Sequence, residues 1–244
     1  MIEVKGVHKS FGQVVAVEDV SFTAQNGRIT GILGPNGAGK TTTLRMVYAV
    51  LKPDRGQALV DGFNTLTDAH QVRQRIGVLP DARGLYPRLT VREHIRYFGR
   101  LHGLEGKPLE ANIDDLLLLL DMKDFADRRA EGLSMGQRLK VAIARAMVHK
   151  PDNILLDEPT NGLDVMSTRA MRTVIRRLRD EGRCVLFSSH IMQEVAALCD
   201  EVVVVAKGRV AAHGTPDELR RATGQENLED AFVAAIGTDE GVMA

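Results

Sequence analysis

Near the N-terminus Val20, Phe22 and Ala24 alternate with polar neighbours, the period-two pattern of a strand with one buried face. Asn26-Gly27 is a strong turn signal, and Arg28 to Leu33 reads as the following strand. Leu44, Val47, Tyr48 and Leu51 then fall at i, i+3, i+4 and i+7, one face of a helix that Pro53 should stop. Gln57 to Val60 and Arg75 to Leu79 read as further short strands. From about Pro87 to Lys150 the pattern turns helical. Thr90-Val91-Arg92-Glu93 has the form of a capping box, and Leu139, Ile143, Ala146 and Met147 line one face of a helix ending before Pro151. Beyond it, strands at Asn153 to Leu156, Arg183 to Phe187 and Glu201 to Ala206 alternate with two helices. Met171, Val174, Ile175 and Leu178 mark the first helix, and Met192, Val195, Ala196 and Cys199 the second. Alternation of this kind predicts a mostly parallel sheet covered on both faces, here interrupted by a helical insert. After Pro216 the pattern suggests a helix and a frayed end, and it carries little information.

Composition narrows the function classes. Of 244 residues, 44% are apolar and 26% charged, enough for a sizeable core. Lys and Arg number 32 and so do Asp and Glu, so no global field draws in nucleic acid or anionic lipid. Trp is absent and aromatics are 4%, which disfavours base-stacking platforms. Cys184 and Cys199 lack metal-type spacing and read as buried free thiols in a reducing compartment. The first residues lack the layout of a secretory signal, and no apolar run approaches the roughly 18 residues needed to cross a bilayer. Leu116 to Leu120, for example, is far too short. Work at a membrane would therefore require another chain to span it. There is no internal repeat, so both halves of any symmetric machine must come from two chains.

Gly34-Pro35-Asn36-Gly37-Ala38-Gly39-Lys40-Thr41 lies between a predicted strand and a predicted helix, and fits the phosphate-binding P-loop. Glycines let backbone N–H groups turn inward around phosphate oxygens, and the helix start adds its positive dipole end. Lys40 should reach the β- and γ-phosphates of a nucleotide, Thr41 should give its hydroxyl to Mg²⁺, and Thr42 extends the cradle. The apolar strand Asn153 to Leu156 ends in Asp157 and Glu158. Successive strand side chains point opposite ways, so Asp157 can serve Mg²⁺ while Glu158 polarises an attacking water as general base. His190, at another predicted strand end, could hydrogen-bond the γ-phosphate and that water. The other six histidines are read as structural.

On these residues the chain resembles an ATP-binding-cassette ATPase over nearly its whole length. The discriminating element is Leu133-Ser134-Met135-Gly136-Gln137, similar to the family's signature loop and placed ahead of Asp157 at the start of a helix. The resemblance implies an α/β fold with a P-loop NTPase (RecA-like) core, an N-terminal antiparallel β subdomain and an inserted α-helical subdomain. It also implies one ATPase domain, with residues 1–86 and 151–215 as nucleotide-binding core, 87–150 as helical insert and 216–244 as tail. It further implies a head-to-tail homodimer or pseudo-dimer that sandwiches ATP and Mg²⁺. There Ser134, Gly136 and Gln137 face the γ-phosphate held by the other subunit. Asn161-Gly162-Leu163-Asp164 resembles the loop crossing that interface, and Phe11 is placed like the aromatic that stacks on adenine.

Two positions depart from the family pattern. Asp81 stands where Gln is usual after the strand ending at Leu79-Pro80, and Met135 where Gly is common. A carboxylate can still ligate Mg²⁺ but cannot donate a hydrogen bond when ionised. Leu79 to Thr90 is similar to the NatA-type sodium-exporter subfamily, and Leu228-Glu229-Asp230-Ala231-Phe232 to exporters of the ABC-2 kind. The resemblance implies a separate integral-membrane permease, a place at the cytoplasmic face of the cell membrane, and no nucleic-acid partner. It implies that Asp81 to Tyr97 borders the groove receiving a permease helix. A soluble single-cassette ATPase acting in macromolecular or cofactor assembly is the alternative.

Overall fold

The computed structural model describes residues 1–81 and 84–237. Ala82 and Arg83, within the exporter-like stretch, and the last seven residues of the tail lie outside the described residues. In chain order the elements begin β1 (Ile2–Phe11), β2 (Val14–Ala24), β3 (Ile29–Leu33), α1 (Lys40–Val47), β4 (Arg55–Val60), β5 (Phe63–Asn64), α2 (Ala69–Arg75) and β6 (Ile76–Leu79). Three helices follow, α3 (Val91–Leu101), α4 (Gly106–Leu119) and α5 (Met135–Met147). The chain then returns to β7 (Asn153–Asp157), α6 (Val165–Asp180), β8 (Cys184–Ser189), α7 (Met192–Leu198), β9 (Glu201–Ala206) and β10 (Arg209–Gly214). It closes on α8 (Pro216–Thr223) and α9 (Leu228–Ile236).

The strands lie in the order β5-β4-β1-β2-β10-β9-β3-β8-β7-β6. β9, β3, β8, β7 and β6 run parallel, and every residue of β3, β7 and β8 is buried, as a sheet covered on both faces requires. β1, β2, β4 and β5 are antiparallel. Between the two halves the ladder narrows to the single pair Arg209↔Asp19, reinforced where Glu18 and Asp19 N–H groups both donate to Gly208 O. The α/β class with an antiparallel N-terminal part and an inserted helical part is therefore what the chain adopts. Val20, Phe22 and Ala24 all face inward, as their alternation predicts. One core lies between the parallel sheet and the helices α3 to α7 and α9, and a second lies where the antiparallel strands meet α1.

Thr90 caps α3 with the predicted box: its hydroxyl accepts from Glu93 N–H, and the Glu93 carboxylate accepts from Thr90 N–H at 2.8 Å. Cys184 and Cys199 are buried free thiols, and burial pushes the Cys184 thiol up to about 12.

Two expectations need correction. The helix bearing Leu44 ends at Val47 and does not run on towards Pro53. Ala49 takes a left-handed φ of 56°, and the N–H groups of Val50 and Leu51 both return to Arg45 O, closing the helix early. Tyr48 and Leu51 still pack on the second core, which accounts for their helical-looking spacing. The tail is likewise more than a helix and a frayed end. Thr215 and Glu218 form a capping box on α8, Asn227 caps α9, and Leu219, Leu228 and Phe232 join the main core. Phe232→Ala should therefore cost about 3 kcal/mol and lower the thermal midpoint by roughly 6–12 °C. Calorimetry of the variant checks this, and an unchanged midpoint would mean the tail is not part of the cooperative fold.

Candidate functional site

β3 delivers the chain into the loop 34–39, which α1 closes. Gly34 has no room for a side chain, because a Cβ there would lie 2.3 Å from Val205 O. Gly39 combines a φ of +104° with a would-be Cβ 2.6 Å from Ala16 O, so only glycine fits. It is also the N-cap of α1 and supplies no side-chain hydrogen bond, leaving first-turn N–H groups to meet an anion. Lys40 is only 6% exposed. Its Nζ donates to Gly34 O at 2.7 Å and Pro35 O at 3.1 Å, and stands 3.7 Å from Glu158 Oε1. Burial pulls the Lys40 pKa down, against the opposing pull of Glu158 and Asp157.

The end of β7 separates its two carboxylates. Asp157 turns to α1, accepting from Thr41 Oγ1 at 3.1 Å and from Ser188 Oγ at 2.6 Å. Ser188 Oγ in turn accepts the Glu158 N–H at 3.1 Å. Glu158 sits at a left-handed φ of 48°, uncommon for a residue with a side chain, and this turn aims its carboxylate at Lys40 and His190. His190 Nδ1 lies 2.9 Å from Glu158 Oε2. Lys40, Thr41, Glu158 and His190 border a cleft of about 710 Å³ that also takes in Phe11, Asn36, Gly37, Ala38, Thr42 and Asp81. The cleft lining is polar along much of the loop and apolar at Phe11, Val14, Val15 and Ala16. The Phe11 ring is half exposed, with Lys9 Nζ 5.6 Å from its centroid.

Seven predicted site residues do not line this cleft: Gly34, Pro35 and Asp157 stand directly behind it, bonded to Lys40 and Thr41, whereas Ser134, Gly136, Gln137 and Asp164 belong to other loops and helix starts. Ser134 caps α5 in a box with Gln137, whose Oε1 accepts the Ser134 N–H at 3.0 Å. Asp164 caps α6 and accepts from both Ser167 N–H and Ser167 Oγ, bonds that hold its carboxyl below the usual range. The two loops touch. A Cβ on Gly136 would fall 2.7 Å from Ser167 Oγ, and one on Gly162 2.8 Å from Met135 Cε. The signature-like loop is thus packed on the 161–164 loop of its own chain, and none of its residues lines the cleft at Lys40. Ser188 is a site neighbour that the motif reading left without a role, and Asn161, read there as part of the interface-crossing loop, also lines this cleft. No sequence signal marks Ser188, because it meets Asp157 only through the β7–β8 register Asp157↔Ser188, a tertiary fact.

Comparison with known proteins agrees with this geometry. The family model described as ABC transporter matches residues 17–161, more than half of the chain. The chain belongs to the ABC transporter ATP-binding family. Its relatives include the ABC transporter ATP-binding protein NatA of Bacillus subtilis (strain 168), 48% identical over 91% of this chain and 91% of that protein. The Nod factor export ATP-binding protein I of Burkholderia lata is 39% identical over 89% of this chain and 72% of its own length. Among solved structures, an ATP-binding subunit of an ABC transporter superposes with a TM-score of 0.88 at 28% identity, covering 97% of this chain and 100% of that one. A dimeric ATP-binding cassette in a post-hydrolysis state bound to ADP and Pi gives 0.79 at 25% identity, covering 88% and 98%. As a member of this family the chain binds ATP and is an ATPase. Cassettes of this family dimerise and act with membrane permease subunits; among the described residues here, no helix is long and apolar enough to cross a membrane.

Proposed function

We propose that this cassette powers an exporter, working at the inner face of the cell membrane on a separate permease, with two copies closing head to tail over ATP. The observation that carries the reading is the division of the site. Lys40, Thr41, Glu158 and His190 line one cleft with Asp157 bonded to Thr41 behind it, while Ser134, Gly136, Gln137 and Asp164 lie outside that lining at the starts of α5 and α6. A second copy would supply the missing anion contacts. ATP seated in both clefts then favours the closed dimer, and loss of the γ-phosphate favours opening.

Within one cleft Phe11 stacks on adenine, and the backbone of Gly34 to Thr42 together with Lys40 takes the phosphates. Thr41 and Asp157, already paired at 3.1 Å, would hold Mg²⁺, with Asp81 across the cleft as a further acceptor. Mg²⁺, when bound, neutralises charge on the β- and γ-phosphate oxygens. Glu158 orients the attacking water and takes its proton, while His190, held by Glu158, presents its other ring nitrogen to the γ-phosphate. Asp81→Gln should lower Mg²⁺ affinity roughly 3- to 10-fold, the effect of losing one exposed charged acceptor. Titration of Mg²⁺-dependent turnover tests this, and unchanged affinity and rate would remove Asp81 from the metal site.

Coupling to the permease runs through the surface beside Tyr86, Pro87, Arg88, Leu89 and Tyr97, where both tyrosines are about half exposed. Its backbone is held from beneath. His94 Nε2 accepts the Tyr86 N–H at 3.0 Å and Arg145 Nη1 donates to Gly84 O at 2.7 Å. Burial first, and then Arg145, lower the His94 pKa to about 4, so its ring stays neutral and able to accept. Export follows the relatives named above, and Na⁺ is the cargo suggested by likeness to NatA-type exporters. Purification from detergent-solubilised membranes should recover a polytopic membrane protein in near-equal amount. Recovery of soluble partners alone would overturn the transporter reading in favour of an assembly ATPase.

A further inference from the structure

We propose that Glu194 is a positioning residue for hydrolysis, fastening the chain after β7 to the chain after β8 so that Glu158 and His190 stay paired. The inference rests on the proposed roles of those two residues. Glu194 lies one helical turn beyond His190 on α7 and is 4% exposed. Its Oε2 accepts from Thr160 Oγ1 and, at 3.5 Å, from Ser189 Oγ. Thr160 is two residues past Glu158 and begins the run to Asp164, while Ser189 immediately precedes His190. Ser189 Oγ also accepts the Ile191 N–H at 3.0 Å, so the His190 backbone is clasped on both sides. Among the described residues the cation paired with it is Arg172 on α6, whose Nη2 stands 3.9 Å from Glu194 Oε1.

An apolar side chain could fill this space without the desolvation cost of a carboxylate. What the carboxylate adds is a directional acceptor shared by two loops, and these are the loops whose tips carry Glu158 and His190. Among the described residues, the other bridge so close behind the pair is Ser188, which serves Asp157 and the Glu158 N–H. Freed from Glu194, Thr160 and Ser189 would relax separately, and the 2.9 Å contact between His190 and Glu158 would lengthen. Because Thr160 leads into the 161–164 loop, the same carboxylate links the water-activating pair to the segment proposed to meet the partner subunit.

The test is turnover, ATP affinity and thermal midpoint for Glu194→Ala, Glu194→Gln and Thr160→Val. Glu194→Ala should lower kcat about 10- to 100-fold, the scale of a slight misplacement of reacting groups, with ATP affinity and KM within about twofold of wild type. Glu194→Gln should restore kcat to within about threefold, since its amide oxygen still accepts from Thr160. Thr160→Val should lower kcat alone, yet add nothing on top of Glu194→Ala. Should Glu194→Ala not fold, Thr160→Val carries the test on the same criteria. Wild-type kcat in the folded variants would overturn the proposal, as would a loss of kcat that merely tracks lost affinity and midpoint. If Glu158→Gln itself turned over normally, the assignment of Glu158 would fall first, which separates the two failures.

Discussion

Glu158→Gln should reduce steady-state ATP hydrolysis by about 100-fold or more while leaving ATP binding intact, the usual scale for removing a general base. The substitution is nearly isosteric, so the left-handed turn at Glu158 and the N–H bond to Ser188 Oγ should survive. An amide cannot accept a proton from water at neutral pH. It also removes the negative charge 3.7 Å from Lys40. Lys40 then faces the phosphates with one competitor fewer, and affinity for ATP should hold or rise. With hydrolysis blocked and ATP retained, the variant should accumulate as a closed dimer on size-exclusion chromatography with ATP, and return to monomer with ADP. A variant hydrolysing at the wild-type rate would remove Glu158 as the base. A variant that is inactive but stays monomeric with ATP would instead count against the head-to-tail sandwich.

Lys40→Met should weaken ATP binding about 100-fold without weakening the empty protein. The direction follows from electrostatics. Burial lowers the Lys40 pKa despite the attraction of Glu158 and Asp157, so the folded state holds this ammonium less willingly than water does. A methionine of similar length leaves the carbonyls of Gly34 and Pro35 without their Nζ donor, a cost of about 1 kcal/mol, and removes a desolvated charge, which offsets it. The thermal midpoint of the empty protein should therefore move little. Binding should suffer more, since charge-assisted contacts to the β- and γ-phosphates are lost. Two such contacts at about 1.5 kcal/mol each amount to about a 100-fold rise in Kd. Wild type should gain several degrees in midpoint with millimolar ATP, and Lys40→Met should gain almost none. A variant stabilised by ATP as strongly as wild type would remove Lys40 from the phosphate site.

What could be read from sequence divides along the range of the forces involved. The phosphate loop was legible because its demands are local. Gly39 must take a positive φ at a helix start, and Lys40 and Thr41 must follow it directly. Capping at Thr90 was legible for the same reason, and so were the buried faces of β2 and α5, where each residue answers only to its own period. The early end of α1 was not, because Leu51 keeps helical spacing for a different cause, its packing on the second core. Nor was the tail: the polar N-terminal turns of α8 and α9 resemble a solvated end, and only docking of Leu228 and Phe232 on the sheet-and-helix core makes it structural.

By itself, then, the sequence determined an α/β nucleotide-binding chain with a phosphate loop and a carboxylate-ended strand, since these depend on backbone conformation over a few residues. Tertiary structure decided which of the chemical groups meet. Parallel pairing of β7 with β8 sets Ser188 against Asp157 and His190 near Glu158. Insertion of α3 to α5 carries Met135 onto Gly162 and Gly136 onto Ser167, outside the cleft. Folding of α7 onto the strand ends buries Glu194 between Thr160 and Ser189. Each of these contacts joins residues distant in the chain or on separate elements, and their register is set by burial of apolar faces that no local pattern records.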